Sequence, residues 1–153
     1  MTWLLKPTIE GKEFSWLTEE GSLTERLKKE FDNVKVEVVY EGTHSIDKKF
    51  YVREVILKSN NSPKIFARTL VKQDDLQEAW SSLKHLGSHS LASILFNSPE
   101  IHKISVFYKK LTSDDHLFTH LNSFNLTNKK SIWARKSIWK REGAILELTE
   151  VFL

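Results

Sequence analysis

The chain has 153 residues, 40% hydrophobic and 28% charged, with a formal net charge of +3, enough for one core and one expected domain over 1–153. It contains no cysteine, which excludes a disulfide scaffold, a thiol nucleophile, cysteine-ligated zinc and iron–sulfur chemistry. No apolar run nears the roughly 18 residues that span a bilayer, and the first seven residues lack a signal-peptide core, so the expectation is a soluble, cytoplasmic protein without membrane insertion.

A first helix is expected around 10–18, ending before Gly21. Ser22, three residues before Glu25, then forms a capping box for a helix through Phe31, with Leu23, Leu27 and Phe31 on its inner face. The period next changes to two: Val34, Val36, Val38 and Tyr40 alternate with charged residues as a half-buried strand. Strand-like runs at 50–58 and 64–72 are joined by the polar loop Ser59–Pro63. Asp74 to Leu86 reads as one helix with Leu76, Trp80 and Leu83 on one face and Gly87 as its stop. A short helix at Ser90–Phe96 and a strand at 101–109 follow, while 111–128 is polar and ambiguous. The runs 131–141 and 144–153 form a hairpin turning at Glu142-Gly143. The pattern predicts an α+β domain with a mostly antiparallel sheet and helices packed on it.

Three strand positions stand out for chemistry. Glu150 shares a strand face with Ala144, Leu146, Leu148 and Phe152, a carboxylate in an apolar row. Burying it unpaired costs several kcal/mol, so it has a partner or a use. Arg53 and Glu54 sit in the run Phe50–Leu57, apolar on both faces, so one of them must enter an apolar environment. Arg68, in Phe66–Val71, raises the same question. An arginine fork is suited to gripping a carboxylate, and two strand arginines with one glutamate can line a pocket for a small acid. Rival patterns are weaker. His116 and His120 have metal-ligand spacing on a helix, without a fixed third ligand. Lys129–Arg141 interleaves six basic residues with Trp133 and Trp139, a footprint of single-strand nucleic-acid binding that also describes an amphipathic strand.

Several blocks, in order, resemble the chorismate–pyruvate lyases: Trp16-Leu17, Gly21–Leu27, Glu41-Gly42, Tyr51–Val55, Ala67–Val71, Leu86-Gly87 through Leu91 to Phe96, Trp133–Ser137 and Leu148–Leu153. The resemblance implies a chorismate lyase-like fold with a buried pocket under helical flaps. It implies conversion of chorismate to 4-hydroxybenzoate and pyruvate, feeding ubiquinone biosynthesis, with no metal or organic cofactor. By resemblance Arg53 holds the benzoate carboxylate and Glu150 faces the opposite end of the ring, as acid–base or as hydrogen-bond partner. Leu23 and Leu91 line the ligand, and Arg68 is a second basic residue beside the pocket. Ala67 stands where the family pattern has Gly, so a methyl group crowds the ligand and weakens product retention. The expected partners are thus chorismate and 4-hydroxybenzoate, with no nucleic acid, and the expected state is a monomer. The alternative from the same fold is a non-catalytic small-acid-sensing domain.

Overall fold

The computed structural model describes residues 2–153. Six antiparallel strands form one open sheet in the order β1-β2-β3-β6-β5-β4. They are β1 (Val34–Thr43), β2 (Phe50–Ser59), β3 (Ser62–Lys72), β4 (His102–Leu111), β5 (Ile132–Arg141) and β6 (Ala144–Phe152). Among the described residues no helix is long and apolar enough to cross a membrane.

Helices cover both faces. On the first face lie α1 (Lys12–Leu17), α2 (Leu23–Glu30), α3 (Gln73–Leu76), a 3-10 turn (Ser81–His85) and α4 (Ala92–Leu95). Leu23 and Leu27 of α2 pack on Leu57 and Ile65, while Leu17 of α1 packs near Tyr108 and Trp133. Trp80, Leu83, Leu91 and Leu95 join Tyr51, Val71, Leu146 and Trp139 in the largest cluster. On the other face α5 (His116–Ser123) buries Phe118 and Leu121 against Ile56, Phe66, Ala134 and Val151. This helix falls in the polar stretch that the sequence leaves ambiguous.

Local chemistry explains where the structure departs from expectation. Asp74–Leu86 is not one helix: α3 ends at Leu76 and a 3-10 turn resumes at Ser81. Trp80 is fully buried and donates its indole N–H to the Ala144 carbonyl at 3.2 Å. That anchor and the weak helix formers Ser81 and Ser82 outweigh a continuous helix. Leu76, Trp80 and Leu83 are nonetheless all buried, and Gly87 stops the segment at φ 57°. The β2–β3 loop is tighter than the expected Ser59–Pro63. Asn60 and Asn61, at φ 48° and 65°, make the whole turn, and Pro63 joins β3 where the register shifts. In β1 a bulge at Val39 ends the alternation, so Tyr40 is exposed rather than on the buried face. Only half of the capping box forms: Ser22 Oγ accepts from the Glu25 N–H at 3.2 Å, while the Glu25 carboxylate lies 3.7 Å from Lys28 Nζ.

Candidate active site

Strand alternation decides which charges meet. The register pairs Arg53 with Thr69 and Thr69 with Leu148, and it pairs Ala67 with Glu150 and Glu150 with Arg135. These residues therefore share the first face. Glu54, Arg68 and Thr149 alternate onto the second.

On the first face a cavity of about 60 Å³ is floored by Arg53, Ala67, Thr69, Arg135, Leu148 and Glu150, with Leu23, Thr24, Ser90 and Leu91 among the residues that close it. The roof has two parts, the start of α2 and the segment leading into α4. They meet where Thr24 Oγ1 and Ser90 Oγ lie 2.9 Å apart. A larger cavity of about 430 Å³ opens on the same face between Trp16, Phe31, Trp133 and Phe152. The smaller one is the better candidate because the buried, oppositely charged groups converge there.

Arg53 is 1% exposed. One terminal nitrogen donates to the carbonyls of Gly87 at 3.0 Å and His89 at 2.9 Å, tying the second roof segment to the floor. Its Nε is buried without a partner, and among the described residues no carboxylate lies within 4.0 Å of the side chain. Burial pushes the guanidinium below its usual range, and the charge of Glu41, with Tyr51, offsets only part of this. A buried cation with an unused donor is a strong locus for an anion.

Glu150, 8% exposed, has the partner that burial demands. Arg135 donates from Nε at 3.0 Å and from a terminal nitrogen at 2.8 Å, both to Glu150 Oε1. Its other terminal nitrogen donates to the carbonyls of Leu17 at 3.1 Å and Glu19 at 2.7 Å. One guanidinium thus fixes the carboxylate and fastens the α1–α2 connection. Among the described residues no protein donor bonds Glu150 Oε2. Arg53 and Glu150 lie two strands and one two-residue step apart, about 10 Å across and about 7 Å along the sheet. Both side chains line the same cavity, from opposite sides of its floor in the sheet order.

The remaining sequence candidates divide. Leu23, Leu91 and Ala67 line the cavity. Arg68 does not: it projects from the opposite face, where its Nε donates to Glu54 Oε2 at 2.8 Å. The expectation of a second basic residue beside the pocket is corrected by strand alternation. His120 joins that opposite cluster, with Nε2 3.0 Å from both Glu54 oxygens, and His116 is exposed on the same helix. Among the described residues no three His, Asp or Glu side chains converge as a metal site would need. Trp133 and Trp139 are 7% and 5% exposed, so their rings pack into the core rather than standing out on the surface of the basic strand.

Two cavity residues escaped the sequence reading, Arg135 and Lys103. Arg135 was hidden inside a run of basic residues, and its signal was that it shares a strand face with Trp133, Ser137 and Trp139. Lys103 is exposed overall yet lines the cavity, and the desolvation of its ammonium there, then the Arg135 charge, lowers its pKa.

Known proteins resemble this chain in fold and in sequence. The solved effector domain of PhnF from Mycobacterium smegmatis superposes with a TM-score of 0.59 at 11% identity, covering 86% of this chain and 88% of that one. The C-terminal domain of the histidine utilization repressor from Pseudomonas syringae gives 0.53 at 7% identity, covering 78% and 91%. At such identities the likeness is one of fold. Sequence relatives are nearer: a probable chorismate pyruvate-lyase of Nitrosomonas europaea is 32% identical over 150 residues, covering 90% of this chain and 84% of the relative. Another from Nitrosomonas eutropha is 33% identical with the same coverage. The chorismate lyase family model matches residues 2–153, and the chain belongs to the chorismate lyase family.

Proposed function

We propose that this protein converts chorismate to 4-hydroxybenzoate and pyruvate. The observation that carries the reading is Arg53: a buried guanidinium with an unpartnered Nε, lining the same cavity as a carboxylate that Arg135 holds in place. Chorismate places a carboxylate and a hydroxyl at opposite ends of its ring, matching that pair in order. The Arg53 fork fixes the ring carboxylate and with it the orientation of the ring.

In the reaction the enolpyruvyl ether bond breaks at the ring carbon and its electrons leave with the pyruvate oxygen. The neighbouring carbon, which bears the hydroxyl, loses its hydrogen as a proton, and the ring becomes aromatic. The enolate of pyruvate so released takes one proton on its methylene carbon to give the keto acid, matching the one lost from the ring. Aromatisation supplies most of the driving force, so the protein's work is to hold the reactive conformer and to meet shifting charge with fixed dipoles. Glu150 Oε2 accepts the ring hydroxyl's hydrogen bond and stands beside the carbon that loses its proton, which suits it to general-base work. No step calls on a metal or an organic cofactor. The product suits a biosynthetic role in making ubiquinone.

The test is direct. Purified protein is mixed with chorismate in the presence of a chelator, and both products are followed by chromatography. Equal amounts of 4-hydroxybenzoate and pyruvate above the uncatalysed background are expected. Neither product above background would overturn the reading. The same roof segments that enclose the ring must move to free it, so 4-hydroxybenzoate is also expected to inhibit turnover.

A further inference from the structure

Chorismate carries two carboxylates and 4-hydroxybenzoate only one, so the proposed reaction, on which this inference rests, raises the question of what meets the second charge. Three cations line the cavity: Arg53, Arg135 and Lys103. Arg53 is opposite the ring carboxylate. Arg135 is already engaged by Glu150 and by the Leu17 and Glu19 carbonyls. That leaves Lys103, which among the described residues has neither an ion pair nor a side-chain hydrogen bond, its ammonium lying 5.5 Å from the Trp139 ring centre.

The backbone of β4 is shaped to put it there. Val106 pairs with Ser137, a residue of the cavity face, so unbroken alternation would send Ile104 to that face and Lys103 away from it. The register shifts between Lys103 and Ser105: Lys103 pairs with Trp139 and Ser105 with Ile138, which leaves Ile104 as the extra residue of a bulge, 54% exposed. The insertion flips Lys103 onto the cavity face, the re-aiming of a side chain that bulges beside binding sites provide. An apolar residue is left in solvent so that a lysine can reach the pocket.

We infer that Lys103 is the binding residue for the enolpyruvyl carboxylate, and so the residue by which the site tells its dianionic substrate from its monoanionic product. The sheet order supports the assignment: β3, β6 and β5 separate β2, which carries Arg53, from β4. The enolpyruvyl arm likewise leaves the ring beside the hydroxyl-bearing carbon, pointing away from the ring carboxylate. Once the ether breaks, the arm departs with the anion that Lys103 held, and the product keeps only its contacts with Arg53 and Glu150.

The experiment compares wild type, Lys103→Met and Lys103→Arg for chorismate KM, kcat and inhibition by 4-hydroxybenzoate. Lys103→Met is expected to raise KM about tenfold while leaving the product inhibition constant within about twofold. Lys103→Arg, which keeps the charge, restores KM to within about threefold of wild type. A KM unchanged in Lys103→Met, or a KM and an inhibition constant that rise together, overturns the assignment. Wild type that forms no product at all overturns the proposed reaction itself, and the two failures are distinguishable.

Discussion

Each face of the sheet holds an arginine bonded to a buried glutamate. Beneath α5, Glu54 accepts from Arg68 at 2.8 Å and lies 3.0 Å from His120 Nε2, so its charge is met from two sides. On the opposite face Glu150 is met by Arg135 through one oxygen only, and Arg53 keeps an unpartnered Nε. The chemical inventory is nearly the same; the difference is what is left over. A fully answered cluster holds the fold, whereas a spare donor and a spare acceptor lining one cavity make a place for a ligand.

That contrast can be broken most sharply at Arg53. Arg53→Ala should cost about 3–4 kcal/mol of ligand binding, on the order of 10²–10³-fold in kcat/KM, read by steady-state kinetics. Glu150→Gln still accepts from Arg135 and should keep the fold, with kcat reduced about 10²-fold, a far larger loss than its effect on the melting temperature. On the other face Arg68→Met leaves a buried carboxylate facing only His120. It should lose about 1–3 kcal/mol of stability in a urea titration, with kcat/KM within about twofold of wild type.

Asp115, beside the second face, sharpens the contrast through pH. Burial pushes its carboxyl up, but the Lys109 ammonium and the Thr112 N–H outweigh this and hold it below its ordinary value. A depressed folded-state pKa contributes stability above the unfolded value near 4 and loses it as pH falls through the folded one. Asp115→Asn should therefore cost about 1 kcal/mol at neutral pH, a cost that shrinks as pH falls below about 4, measured by denaturant titration, with turnover at neutral pH unaffected. The smallest effect belongs to Ala67. Ala67→Gly removes a methyl from the cavity floor and should tighten 4-hydroxybenzoate inhibition about threefold, at about 0.5–1 kcal/mol of strand stability.

How much of this the sequence disclosed follows the physics of each element. Arg53 and Glu150 were legible because a charged residue in an apolar strand face demands an explanation, and alternation is local. Arg135 and Lys103 were not. Arg135 sat among other basic residues, and Lys103 reaches the cavity only through a bulge, which no pattern of period two can foresee. Arg68 was misplaced for the complementary reason: its face depends on the register between β2 and β3, a non-local fact. The sheet, its two tight hairpins and α2 were readable from period and turn residues. The break after α3 was not, because the burial of Trp80 against Ala144 decides it, 64 residues away. The helix α5 was hard to read because it is short and set in a polar stretch, although Leu117, Phe118, Leu121 and Phe124 recur at helical spacing and Phe118 and Leu121 dock on the sheet.

The account's central claim is that Arg53 holds its buried donor ready for the ring carboxylate. With only five arginines in the chain, the Nε–H groups give a short, assignable set of nitrogen-15 resonances, and Arg53→Lys identifies the one that matters. Titration with 4-hydroxybenzoate should shift the Arg53 Nε–H strongly downfield as it gains a charged acceptor, while that of Arg68, already bonded to Glu54, stays in place. An Arg53 resonance that does not move while 4-hydroxybenzoate saturates the protein would contradict the account.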